Sequence, residues 1–262
     1  MLFYAKKGKV KKIDMVKNSL CVIIPIYKKQ LELDEEFSVD RTVEVLKERT
    51  IFFIAPLGME YSYYQKRYPE VKCVFFNKKY FKNVSSYSKL LLSRCFYDKF
   101  LNFDYMLIAQ TDAIILSSKD LLDMFVRLEY DYIGAPWKKS EKLYPMVFKG
   151  STHLKNVLKP VESRVGNGGF CLRKIKTMVE ILNAHPLAIG ISKLYKKANE
   201  DGVLCYYLKV NNRYSLPTVD MAETFSVEET AKVVLEKGIR PFAVHGYKKY
   251  VGSSDIIIKY ME

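Results

Sequence analysis

From Leu20 to Ala113 the chain alternates short runs of β-branched and aromatic residues with longer amphipathic stretches, and this rhythm limits the possible architectures more than any other feature. Four apolar runs stand out, at residues 20–26, 51–56, 71–76 and 104–113. The first two reach proline, at Pro25 and Pro56, which lacks the amide proton a central ladder needs and so marks a strand end. Residues 85–101 carry Leu90, Leu91, Phe96, Tyr97 and Phe100 at helical spacing, which predicts a core-facing helix between the third and fourth strands. Strand, helix and strand in this order predict an α/β fold with a mostly parallel central sheet flanked by helices. No segment of the sequence recurs at a fixed period, which excludes solenoids and propellers.

Beyond residue 130 the rhythm loosens. Asp131-Tyr-Ile-Gly-Ala-Pro-Trp137 leads into a polar loop expected from Lys138 to about Arg164. Helices are predicted over residues 174–184, ending before Pro186, and over residues 199–209. No stretch has the composition of a linker. The expected organisation is a basic segment, residues 1–19, followed by one domain, residues 20–262, with two functional halves, 20–137 and 138–262.

The chain has 262 residues, 49% hydrophobic and 27% charged, which excludes a disordered polymer. Its longest apolar runs fall far short of the roughly 20 residues that span a bilayer. The stretch after the basic N-terminus is too short and too β-branched for a signal-peptide core. Cys21, Cys73, Cys95, Cys171 and Cys205 are odd in number and contain no Cys-x-x-Cys pair, so they read as buried thiols of a cytoplasmic protein. A net charge of +14 calls for an anionic partner, whether nucleic acid, nucleotide or membrane surface. The lysines are dispersed and no nucleic-acid recognition motif is present, which argues against nucleic acid.

In an open α/β sheet, ligands bind beyond the carboxyl ends of the parallel strands. Pro25, Ile26 and Tyr27 end the first run; Gln110, Thr111 and Asp112 end the fourth. Asp112 is placed either to hold a hard divalent cation or to cap a turn. In Gly166-Asn-Gly-Gly-Phe-Cys-Leu-Arg173 the glycines permit close backbone approach to a ligand, and Arg173 suits a phosphate or sugar hydroxyl. The alternative is a tight turn with a surface arginine. Asn199-Glu-Asp201 supplies either a general base or an acidic first helical turn. His245 follows a short apolar run, whereas His153 and His185 have no partner that the sequence identifies. Trp137 is either a sugar platform or a core residue.

Taken in order, Val22-Ile-Ile-Pro-Ile-Tyr27, Tyr105 to Ala113, Asp131 to Trp137, Gly166 to Arg173, Asn199-Glu-Asp201 and Pro241-Phe-Ala-Val-His245 resemble a GT-A glycosyltransferase. More narrowly, they are similar to a bacterial and fungal family of glycosyltransferase-like domains long catalogued as a domain of unknown function. The resemblance implies a nucleotide-sugar donor, with a uridine diphosphate sugar favoured. It implies a glycan or lipid-linked acceptor in capsule or lipopolysaccharide synthesis, and inversion at the anomeric carbon. Asp112 stands where the last acid of the family's Asp-x-Asp metal motif stands; Gln110 replaces the first acid. Asp112 and His245 are then the implied ligands of Mn²⁺ or Mg²⁺. By similarity to β-1,4-galactosyltransferase-like enzymes, Asp201 is the implied base and Glu200 binds donor-sugar hydroxyls, an assignment that can be reversed.

The donor side is thus expected to comprise Pro25, Ile26, Tyr27, Gln110, Thr111, Asp112 and Arg173. The sugar and acceptor side is expected to comprise Trp137, Asn167, Gly168, Gly169 and Asn199. Lys6, Lys7, Lys9, Lys11 and Lys12 are candidates for peripheral contact with the inner membrane face, at about 1 kcal/mol each. Competing readings are a catalytically silent carbohydrate-binding domain, which Gln110 favours, and a nucleic-acid-binding protein.

Overall fold

The computed structural model describes residues 19–145, 160–194 and 199–262. Lys6, Lys7, Lys9, Lys11, Lys12 and His153 lie outside the described residues. In chain order the strands are β1 (Leu20–Pro25), β2 (Thr50–Pro56), β3 (Lys72–Phe76), β4 (Tyr105–Ala109), β5 (Ile114–Ile115), β6 (Tyr132–Gly134), β7 (Pro136–Leu143), β8 (Val161–Val165), β9 (Phe170–Lys174), β10 (Ser226–Val227) and β11 (Ala243–Val244). The helices that matter below are α1 (Leu33–Val45), α2 (Ser62–Arg67), α3 (Val84–Leu91), α4 (Arg94–Tyr97), α5 (Leu122–Val126), α6 (Ile175–Ala184), α7 (Pro186–Leu194), α8 (Glu200–Val210) and α9 (Val219–Phe225).

The main sheet has the order β3-β2-β1-β4-β9-β6. Strands β3, β2, β1 and β4 are parallel, and β9 runs antiparallel to both β4 and β6. The expected mostly parallel α/β sheet is therefore present, with one reversed strand that brings the start of β9 beside the end of β4. Both faces are covered, which is why the first run lacks polar alternation. Leu20, Val22 and Ile24 pack with Val39, Phe53 and Phe170 on one face. Cys21 and Ile23 pack with Leu90, Phe96, Met178 and Leu204 on the other. Each such large apolar side chain contributes roughly 1.5–3 kcal/mol when fully buried.

Several expectations need correction. The helix predicted over residues 85–101 is two, α3 and α4, because the Ser93 hydroxyl donates to the Lys89 carbonyl at 2.6 Å and diverts the backbone. Leu90, Leu91, Phe96, Tyr97 and Phe100 are nonetheless all buried. The polar loop expected from Lys138 is at both ends a strand: β7 pairs antiparallel with β8. Of the cysteines, Cys21, Cys171 and Cys205 are buried as expected, but Cys73 is half-buried and Cys95 exposed. His185 is not unpartnered, since its ring stacks on Tyr207 at 4.0 Å.

Candidate active site

A second, small sheet of order β10-β11-β5 gathers the first cluster. Strands β10 and β11 are parallel, so Glu228 and His245, the residues after Val227 and Val244, emerge at the same end. Strand β5 is antiparallel to β11, so the residues preceding it, Asp112 among them, arrive there too. His245 Nε2 lies 3.3 Å from Asp112 Oδ1, and Nδ1 lies 3.2 Å from Glu228 Oε1. Neither buried nitrogen makes a well-directed hydrogen bond among the described residues. Burial pulls the imidazole pKa down, but Asp112 and Glu228 outweigh it and raise it to about 9. The Asn167 amide donates to Glu228, and Asn167 Oδ1 accepts the Gly169 amide proton at 2.9 Å.

A second cluster sits at the start of α8. Arg173 is fully buried, and its Nη2 donates to Glu200 Oε1 at 2.9 Å. Nη1 contacts the Tyr97 hydroxyl at 3.2 Å, and Ser88 Oγ on α3 donates to Glu200 Oε2 at 2.9 Å. Both Glu200 oxygens are thereby engaged. Asp201, the next residue, is only partly buried and accepts the Gly202 amide proton at 2.7 Å. Burial first, and repulsion from Glu200 second, push the Asp201 carboxyl up to about 7. The Tyr87 hydroxyl is buried without a hydrogen-bond partner among the described residues; burial first, and the Glu200 charge second, push its pKa up.

Gly168 and Gly169 join the clusters. Added to Gly168, a β-carbon would meet Glu200 Oε1 at 2.7 Å and Asp201 Cβ at 3.5 Å; added to Gly169, it would run into the His245 ring. The two clusters therefore meet at a single peptide, one against each of its Cα atoms, which are about 3.8 Å apart. The turn at residues 110–112 is held from two directions. The Gln110 amide donates to the Gly169 carbonyl at 2.8 Å, continuing the β4–β9 ladder. From α1, Ser38 donates to the Thr111 carbonyl, and the Thr111 hydroxyl donates to Glu35 at 3.2 Å.

The expected site residues divide accordingly. Asp112, His245, Asn167, Gly168, Gly169, Glu200 and Asp201 are brought together. Tyr27 is exposed at the end of β1, but the Pro25 and Ile26 side chains are buried, because the strand's covered faces extend to its end. Arg173 is corrected from a donor contact to a buried partner of Glu200. Trp137 is half-buried, its ring against Gly166, and Asn199 is the exposed N-cap residue of α8. Glu228 was missed, because the two-residue strand Ser226–Val227 that it follows carries no apolar run of the kind that singled out Asp112. Glu35 and Ser88 carried no local signal.

Among the described residues no group of three or more His, Cys, Asp and Glu side chains is arranged to hold a metal. Asp112 and His245 nevertheless suit two adjacent ligands of one cation. Bonds of about 2.1 Å at right angles put their donor atoms about 3.0 Å apart, close to the 3.3 Å observed. The Asp112 carboxylate is half exposed, so phosphate oxygens and water have room to complete the shell.

A family model described as "Protein of unknown function (DUF5672)" matches residues 70–245, which include both clusters. The chain belongs to this family. In fold it is similar to a glycosyltransferase involved in the glycosylation of the major capsid of PBCV-1, at TM-score 0.50 and 12% identity over 87% of this chain and 92% of that one. It is also similar to mouse xyloside xylosyltransferase 1 in its apo form, at 0.48 and 10% over 88% and 99%. The Mn/GDP form of core-mannan synthase A from Aspergillus fumigatus gives 0.48 and 10% over 74% and 70%. No curated protein matches the chain. The α/β architecture expected from the sequence is that of GT-A glycosyltransferases. No helix among the described residues is long and apolar enough to cross a membrane.

Proposed function

We propose that the chain is a glycosyltransferase that moves a sugar from a nucleoside diphosphate donor, a uridine diphosphate sugar, to a hydroxyl of a glycan or lipid-linked acceptor. The observation that carries this is the Gly168–Gly169 peptide, with a cation-type pair against Gly169 and a carboxylate of raised pKa against Gly168. Donor diphosphate belongs beside Asp112 and His245; acceptor belongs beside Asp201. The donor half is then 20–137 and the acceptor half 138–262, with Glu228 and His245 returning from the second half to complete the donor side.

Asp112 and His245 would hold Mn²⁺ or Mg²⁺, which when bound neutralises charge on a leaving diphosphate. Glu228 orients the imidazole from its other nitrogen, and Asn167 orients Glu228. Asp201 accepts the proton of the attacking acceptor hydroxyl; a carboxyl poised near pH 7 matches that task. Glu200, locked by Arg173 and Ser88, keeps a second negative charge beside Asp201 and so holds its basicity up. With the base beside the acceptor and the diphosphate held at the neighbouring cluster, the proposed reaction is a single in-line displacement with inversion. An acceptor in capsule or lipopolysaccharide synthesis is part of this proposal and rests on the family resemblance of the motifs; the peripheral membrane location is also part of it and is supported by the basic net charge.

The test is nucleoside diphosphate release from a panel of nucleotide sugars, with and without Mn²⁺. Donor-dependent release that Asp201→Asn abolishes supports the reading. Gln110 in place of a first acid favours one other reading, a silent binding domain: nucleotide binding without turnover for any acceptor would select it.

A further inference from the structure

We infer that a basic groove beside α3 is the subsite for an anionic group, phosphate or carboxylate, carried by the acceptor. The inference rests on the glycosyltransferase reading for the acceptor's role, and on the groove itself for the charge. The groove encloses about 780 Å³. Lys79, Lys82 and Lys89, from the chain after β3 and from α3, line it together with Lys193 of α7; Ser85 and Ser93 contribute hydroxyls. Among the described residues no carboxylate lines it. Four ammonium groups around one cavity repel one another and are drawn to an anion. Lys193 is half-buried there, and that burial lowers its pKa, as expected of an ammonium short of a counter-charge. The start of α3 adds no free anion site of its own, because Asn83 and Ser86 already cap each other's amides.

Position ties the groove to the acceptor. Ser85 and Ser88 are three residues apart and share one face of α3. Ser85 lines the groove, and Ser88 donates to Glu200, the neighbour of Asp201. The groove thus lies along the helix that supports the proposed base. The Asp112 side is different in kind, since its cavity of about 270 Å³ is lined by Glu32, Asp34, Glu35 and Asp112 as well as Lys248 and Lys249. That side suits a cation-borne diphosphate, and the lysine groove suits a bare anion.

The experiment is isothermal titration of the full chain, saturated with UDP and Mg²⁺, against inorganic phosphate, tetragalacturonate and maltotetraose as the neutral control. We expect at least one anionic probe to bind, and K82Q/K89Q to weaken it tenfold or more while circular dichroism stays unchanged. Binding of phosphate identifies a phosphate-bearing acceptor, and binding of tetragalacturonate a uronate-bearing one. The inference is overturned if neither anion binds more tightly than maltotetraose, or if K82Q/K89Q changes the affinity by less than twofold. If UDP binds and both anions fail, the transferase reading stands and the groove falls. If anion binding depends on the lysines but no nucleoside diphosphate binds, the anion site stands and the transferase reading falls.

Discussion

Gly169→Ala tests the junction between the two clusters with a single methyl group. Its β-carbon would lie 2.0 Å from His245 Nε2, where ordinary contact begins at 3.4 Å, so the ring or the strand must give way by more than the radius of a hydrogen atom. Gly169 is not one of the glycines with left-handed backbone, so the effect is steric and not conformational. The imidazole is held at 3.3 and 3.2 Å between Asp112 and Glu228, and a displacement of that size breaks at least one of these contacts. Overpacking of this kind costs about 1–3 kcal/mol. For a chain of this size that lowers the unfolding midpoint by roughly 2–4 °C per kcal/mol. Misplacing a ligand by an ångström costs about a hundredfold in turnover, and nucleotide affinity in the presence of Mn²⁺ should fall at least tenfold. The assay is thermal unfolding and UDP titration of wild type, Gly169→Ala, His245→Ala and the double variant. Removing the ring makes room for the methyl, so the double variant should be more stable than additivity allows, by a coupling of about 0.5–3 kcal/mol. Strict additivity, or a Gly169→Ala variant with wild-type midpoint and affinity, refutes the reasoning.

Three further outcomes are expected. Asp201→Asn should abolish turnover and keep donor binding, and wild-type rate should rise with pH through about 7, where the raised carboxyl loses its proton. The sign for stability is opposite. A pKa raised on folding means stability is lost as pH rises toward 7, so Asp201→Asn should unfold at a higher temperature than wild type at pH 8, and equal midpoints would count against the raised pKa. Proton NMR of the three histidines should show one titrating near 9, shifted down by Glu228→Gln; the metal-free protein loses the stability this group supplies as pH rises from about 6.5 through 9. A spectrum in which every histidine titrates below 7.5 would refute the clamp. Arg173→Met should destabilise the fold by about 3–5 kcal/mol by stranding Glu200, with much of the loss restored in Arg173→Met/Glu200→Met, as read by chemical denaturation.

The four strands β1 to β4, the helices at residues 175–184 and 200–210, and the mostly parallel sheet were legible in the sequence, because burial on both faces writes continuous apolar runs that end at proline or a polar residue. The candidacy of Asp112, Gly168, Gly169, Asp201 and His245 was legible too, since each stands at or near the end of an element. Which of them meet was decided by long-range pairing. The reversal of β9 puts Gly169 beside Gln110, and the short strands β5, β10 and β11 put Glu228, His245 and Asp112 at one end. Strands that short carry too little pattern to be read locally. The fate of Arg173 was likewise invisible, since its charge is neutralised by Glu200, 27 positions away in sequence. Local sequence determined the elements through burial and backbone propensity; only the tertiary structure determined which charges became partners, because an ion pair depends on distance in space and not on spacing along the chain.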